Sequence, residues 1–82
     1  MKINEFLEEI KTELEISSVK EITIETNLYS LNEWDSLNLL MLIDLIKTNF
    51  EIAINPDEFK GDLIVKDLIE KIEILKGDRI FD

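Results

Sequence analysis

Ser36 is the residue of this 82-residue chain whose type and setting could support chemistry. Its hydroxyl group follows the carboxylate of Asp35 and precedes Leu37, where a long apolar stretch begins. An aspartate in this position caps the free N–H groups of a helix, and its charge favours the positive end of the helix dipole. The tripeptide therefore predicts a serine in the first turn of a helix. Taken alone, it is more typical of an ordinary helix cap than of a functional site.

The chain contains no histidine and no cysteine, so it lacks the usual bases and nucleophiles of catalysis. A serine hydroxyl reacts poorly unless a neighbouring base activates it, and no base-and-orienter pair accompanies Ser36. We therefore predict no catalytic residues, and a small serine hydrolase is a poor interpretation. Without thiolates or the spacing of a calcium-binding loop, no metal site is predicted either. Ser36 is better explained as a residue to which another enzyme attaches a group.

Composition and charge narrow the range of partners. Nineteen acidic residues against nine basic ones give a net charge of −10. This balance argues against nucleic acid and anionic membrane surfaces as partners, and it favours basic protein surfaces. No apolar run reaches the ~20 residues of a membrane span, so no membrane insertion is expected. The start of the chain lacks a signal-peptide pattern, and the absence of cysteine fits a reducing compartment, so a cytoplasmic location is expected. The chain is also expected to be a monomer.

Hydrophobic periodicity predicts an all-α fold. Apolar residues recur at helical spacing over about 3–16, 36–50 and 64–76, and Asn-Pro-Asp-Glu starts a short helix at about 56–60. Residues 17–35 form a long connection in which Leu28 and Leu31 insert into the core. The expectation is a four-helix bundle with a short third helix and a long first loop.

One domain of residues 1–77 is predicted, followed by a tail of residues 78–82 whose order the pattern leaves open. Leu37, Leu40, Ile43, Ile46 and Phe50 are expected to form the inward stripe of the second helix. The predicted core consists of Phe6, Leu7, Ile10, Leu28, Leu42, Ile43, Ile46, Phe50, Ile54, Phe59, Ile64, Leu68, Ile69 and Ile72.

The central part of the chain resembles the attachment-site helix of acyl carrier proteins and the related peptidyl carriers. Residues 34–46 contain the family's Asp-Ser-Leu followed by aliphatic residues, and the aromatic Phe50 closes that helix. Residues 50–59 are similar to the family's approach to its third helix, and residues 64–72 to its final helix. Residues 3–31 match only in pattern, with an acidic first helix and a long loop.

This resemblance implies a 4'-phosphopantetheine arm attached covalently to the oxygen of Ser36. The arm's thiol would hold acyl or aminoacyl intermediates as thioesters for fatty acid, polyketide or nonribosomal peptide biosynthesis. A phosphopantetheinyl transferase would add the arm, and enzymes that load and transfer acyl or aminoacyl groups would be the further partners. A phosphodiester is well tolerated at a helix N-terminus, where free N–H groups meet the positive dipole end. The alternative is an unmodified four-helix interaction domain that binds a partner through the apolar face of the second helix.

The resemblance also implies a docking surface around Ser36. Met41 and Lys47 stand where many fatty-acid carriers have acidic residues, and Glu33 replaces a usual glycine. We therefore expect docking through apolar contact with acidic surroundings, which favours a carrier dedicated to one pathway. Leu37 is expected to be half-buried as well as part of this surface. Trp34 is interpreted first as a partly buried anchor of the loop and second as a contact for the arm. The predicted docking residues are Asp35, Leu37, Met41, Glu33, Trp34, Asp57 and Glu58.

Overall fold

The computed structural model describes residues 1–82 as three α-helices without a β-strand. Helix α1 spans Ile3–Glu13, α2 spans Ser36–Phe50 and α3 spans Val65–Lys76. Two single 3₁₀ turns lie between them, at Leu28–Ser30 and Pro56–Glu58. The all-α prediction is confirmed.

The prediction of four helices is not confirmed, because the expected third helix is only the 3₁₀ turn Pro56–Glu58. Asn55 accepts a hydrogen bond from the N–H of Asp57 and starts the turn, with Pro56 in its first position. Phe59 then adopts a non-helical conformation, so the start signal is present but the helix does not continue.

Helix α1 ends earlier than the predicted residue 16. Glu15 has a left-handed backbone with φ of 54°, and Ile16 donates its N–H to the carbonyl oxygen of Lys11 at 3.0 Å. This is the hydrogen-bond pattern of a Schellman motif, which closes a helix and turns the following residue back toward it. Ile16 is consequently buried although it lies outside the helix.

The connection between α1 and α2 is held by backbone hydrogen bonds to the segment that precedes α3. Leu28 donates its N–H to the carbonyl of Leu63 at 2.8 Å, and Val65 donates to the carbonyl of Thr26 at 3.0 Å. Asn27 reinforces the contact, because its side-chain oxygen accepts the N–H of Leu63 at 3.0 Å. The extended segment therefore has a partner that the sequence pattern does not reveal, although no strand forms.

One continuous core joins the three helices and the connection. Eleven of the predicted core residues are buried, whereas Ile43, Phe59 and Ile64 are only partly buried. The expected insertion of Leu31 is confirmed. The structure adds buried residues that were not predicted to lie in the core: Leu14, Ile16, Ile22, Leu45, Leu63, Val65 and Phe81. None of the helices combines the length and apolar character needed to cross a membrane.

Candidate functional site

Ser36 is the first residue of α2, as the sequence predicts. Asp35 precedes it with an extended backbone, and one of its carboxylate oxygens accepts the N–H of Asn38 at 2.9 Å. This is the geometry of an N-cap, in which a side chain satisfies one of the free N–H groups of the first turn. The cap fixes where the helix begins and so places the serine at its N-terminal end.

The hydroxyl group of Ser36 is exposed and makes no hydrogen bond within the chain. The backbone N–H groups of Ser36 and Leu37 also have no partner in the chain. A phosphate linked to this oxygen would meet two free donors and the positive end of the helix dipole. The residues present therefore fit a phosphodiester at this position.

Ser36 has no activating base. Its hydroxyl donates to no side chain, and the nearest carboxylate in sequence, that of Asp35, already accepts the N–H of Asn38. A nucleophilic serine needs a base within hydrogen-bond reach and a third group that orients the base. The arrangement can accept a group from another enzyme, but it has no means of catalysing the transfer itself.

The outward face of α2 differs from the predicted one. Leu37 and Leu40 are each 63% exposed, so the expectation that Leu37 is half-buried and that both residues belong to the inward stripe is wrong. The buried face is Asn38, Leu42, Leu45, Ile46 and Phe50. The physical reason is a rotation of the helix about its axis, because a helix that is apolar on most sides allows several inward faces. The exposed leucines lie close to Ser36 and give the site an apolar flank.

Met41 is partly exposed and lies on the side of α2 that faces α1. With Leu45 it forms the apolar part of a shallow groove of about 280 Å³. Glu9, Glu13 and Asp44 provide the acidic part of the same groove. Negative charge beside Met41 therefore comes largely from α1, a contribution that the sequence pattern of α2 could not reveal.

Trp34 is partly buried and packs on Tyr29, with 5.8 Å between the ring centroids and 48° between the ring planes. Both aromatic residues pack against the core. Burial also raises the pKa of the Tyr29 hydroxyl above its ordinary value. These contacts agree with the interpretation of Trp34 as an anchor of the loop before Ser36.

Glu33 is bound within the chain. One of its carboxylate oxygens accepts the N–H groups of Ser17 and Ser18, both at 2.9 Å, and the other accepts the hydroxyl of Ser18. The bond from the Ser18 hydroxyl, followed by that from the Ser17 amide, lowers the pKa of Glu33 to about 2. The Glu33 carboxylate therefore holds the loop, and its predicted role in docking stays a prediction.

Asn38 is a site residue that the sequence analysis missed. It is only 8% exposed, and its side-chain nitrogen donates to the carbonyl oxygen of Leu14 at 3.1 Å. A signal was available, because Asn38, Leu42 and Ile46 share one face at a spacing of four residues. A polar residue on that face points inward only when it finds a partner, and this partner lies on another element.

Asp57 and Glu58 lie in the 3₁₀ turn that follows α2, and both are exposed. Glu58 forms an ion pair with Lys71 of α3 at 3.2 Å. Neither carboxylate makes a hydrogen bond or ion pair with residues 33–41. Their role in docking stays a prediction.

Comparison with known proteins identifies the domain. A family model described as "Phosphopantetheine attachment site" matches residues 4–72, which is most of the chain. No significant match was found among curated proteins or among solved structures. The domain that matches carries 4'-phosphopantetheine as a covalent group and is a substrate of phosphopantetheinyl transferases, not a catalyst. The chain therefore belongs to the phosphopantetheine-attachment family and is a carrier protein.

Proposed function

We propose that Ser36 is the residue that carries the phosphopantetheine arm. The observation that supports this most directly is its exposed, unbonded hydroxyl at the N-terminus of α2. Asp35 holds the first turn in place, and the free N–H groups of Ser36 and Leu37 are available to the phosphate. When bound, the arm supplies the thiol that the chain lacks, on which an acyl or aminoacyl group is held as a thioester.

The proposed role is to pass acyl or aminoacyl intermediates between enzymes of one biosynthetic pathway. The exposed hydroxyl of Ser36 and the exposed side chains of Leu37 and Leu40 lie at the same end of α2. An enzyme that docks there would lie next to the attachment point of the arm. We propose that Leu37, Leu40 and Met41 supply the apolar contact. Asp35, Asp57 and Glu58 supply negative charge around it, and the net charge of −10 attracts basic partner surfaces.

The exposed face of α2 also fits the alternative of an unmodified interaction domain, because such a face can bind a partner without any arm. Modification itself separates the two functions. Incubation with a promiscuous phosphopantetheinyl transferase and coenzyme A should add the mass of one phosphopantetheine to the intact chain.

The gain in mass should disappear in Ser36→Ala and persist in Ser17→Ala. Ser17 is a suitable control because it is another exposed serine and its hydroxyl makes no hydrogen bond within the chain. A gain in mass that persists in Ser36→Ala would show that the arm is attached to another residue. A wild-type chain that gains no mass would favour the interaction domain.

A further inference from the structure

The turn that carries Ser36 is fastened to the end of α1 on both of its sides. Glu33 lies three residues before Ser36 and Asn38 lies two residues after it. The hydrogen-bond partners of both side chains fall within residues 14–18, where the chain leaves α1. We call this pair of contacts the α1 clasp.

In the Glu33 half of the clasp, both carboxylate oxygens accept hydrogen bonds. Two backbone N–H groups, from Ser17 and Ser18, point at one oxygen at 2.9 Å each. The Ser18 hydroxyl donates to the other oxygen, so the group is held in both position and rotation. Hydrogen bonds to an ionised carboxylate are among the stronger ones in proteins.

The Asn38 half of the clasp lies in the interior. The carbonyl of Leu14 is one of those that the end of α1 leaves without a helical partner, and the side chain of Asn38 supplies one at 3.1 Å. Because Asn38 is buried, losing this bond leaves a carbonyl without a partner in a place that water reaches poorly. The bond therefore resists opening more than an exposed one would.

Only residues 34–37 lie between the two fixed points. A segment this short has few conformations available when both ends are tied to another element. The Ser36 hydroxyl sits inside it without a hydrogen bond of its own. The position of this hydroxyl is thus set indirectly, by the clasp, by the Asp35 cap and by the packing of Trp34.

We propose that Glu33 and Asn38 are positioning residues for the modification of Ser36, holding its hydroxyl where a transferase can use it. The inference rests on the proposed attachment at Ser36. Neither residue needs to touch coenzyme A or the transferase. Correct placement of a reacting atom before the chemical step is a large part of enzymatic rate, and small displacements lower it strongly.

The test is the steady-state rate of modification by a phosphopantetheinyl transferase with coenzyme A, for Glu33→Gln, Asn38→Ala and wild type. We expect kcat to fall by about tenfold in each variant. KM should change much less than kcat, because Leu40 and Met41, two of the three proposed apolar contacts, lie outside the clasped segment. Hydrogen exchange of the Leu39 amide, which donates to the carbonyl oxygen of Asp35 at 3.2 Å, should become faster in the free variants than in wild type, because the first turn opens more often.

Ile72→Val is the matched control, since Ile72 is buried in α3 and its shortening lowers stability without touching the clasp. Wild-type rates in both variants, or a loss that Ile72→Val reproduces, would overturn the positioning role. A raised KM in Glu33→Gln alone would also overturn it, because it would show that Glu33 meets the transferase directly.

Glu33 is partly exposed, so Glu33→Gln keeps the test available if Asn38→Ala fails to fold. Failure of the proposed function looks different from failure of the clasp. In that case the wild-type chain gains no mass, or gains it at a residue other than Ser36, before any clasp variant is compared.

Discussion

The carboxyl group of Glu33 makes the stability of the folded chain depend on pH through the loop before Ser36. Its pKa in the folded chain is about 2, because the Ser18 hydroxyl and the Ser17 amide bind the ionised form. The same group in an unfolded chain ionises near pH 4.3. A folded pKa below the unfolded one contributes stability that is complete above roughly pH 4.5 and is lost as the pH falls toward 2.

Glu33→Gln should therefore lower the melting temperature at pH 7, and the gap between variant and wild type should narrow from about pH 4.5 down to pH 2. Thermal unfolding followed by circular dichroism across this range measures the gap. Glu70→Gln is the control, because Glu70 is an exposed carboxyl on α3 without a hydrogen bond or ion pair. A gap of constant size at every pH would show that the charge of Glu33 contributes nothing to stability.

At the scale of the helix, Leu37 and Leu40 lie on the outward face of α2, where they bury little of their apolar surface within the chain. Leu37→Ser and Leu40→Ser should leave the melting temperature nearly unchanged, because each side chain is 63% exposed. Each should raise KM for the transferase by about tenfold, which is the loss expected when one leucine no longer buries its surface against a partner. Kinetics of modification by mass spectrometry would measure it.

Ile74→Ser is the matched control for the leucine variants. Ile74 is 65% exposed and aliphatic like the leucines, but it lies on α3. A rise in KM of the same size in Ile74→Ser would mean that general surface hydrophobicity, not the face of α2, governs docking. Unchanged KM in all three variants would contradict the proposal that Leu37 and Leu40 form an apolar docking surface.

The limits of α2 could be predicted from the sequence, but its rotation could not. Asp35 marks the start through local chemistry, since a cap depends only on residues within one turn. The inward face depends on what the rest of the fold offers. Apolar residues occupy most sides of this helix, so its own pattern does not select a face. The observed face places Asn38 against the carbonyl of Leu14, 24 residues earlier in the chain, a contact that only the folded chain provides.

At the scale of the whole molecule, local sequence also predicts where the last helix ends but not what the end of the chain contacts. Gly77 marks the end of α3 correctly, with the positive φ of 73° that a helix-closing glycine adopts. The sequence pattern left the order of residues 78–82 open. The structure buries Phe81 between Phe6 and Phe50, with ring centroids 5.1 and 5.3 Å away. No local pattern announces a contact between residues so far apart in sequence.

The backbone of the tail is held as well as its side chain. Ile80 and Phe81 donate their N–H groups to a carboxylate oxygen of Glu73, at 3.0 and 3.2 Å. Phe81 is 4% exposed, and its ring packs against Phe6 of α1 and Phe50 of α2. The tail is therefore part of the folded domain in this structure, and its aromatic ring completes the core.

Phe81→Ala should lower the free energy of unfolding by about 3 kcal/mol, since removal of a buried aromatic ring forfeits its burial and leaves a cavity. Urea denaturation measures the change. Arg79→Ala is the control, because Arg79 is exposed and its side chain makes no contact of this kind. Modification of Ser36 should proceed at the wild-type rate below the unfolding transition, because Phe81 contacts α1 and α2 through Phe6 and Phe50 and not through the α1 clasp. A Phe81→Ala protein as stable as Arg79→Ala would mean that the ring adds nothing to the core.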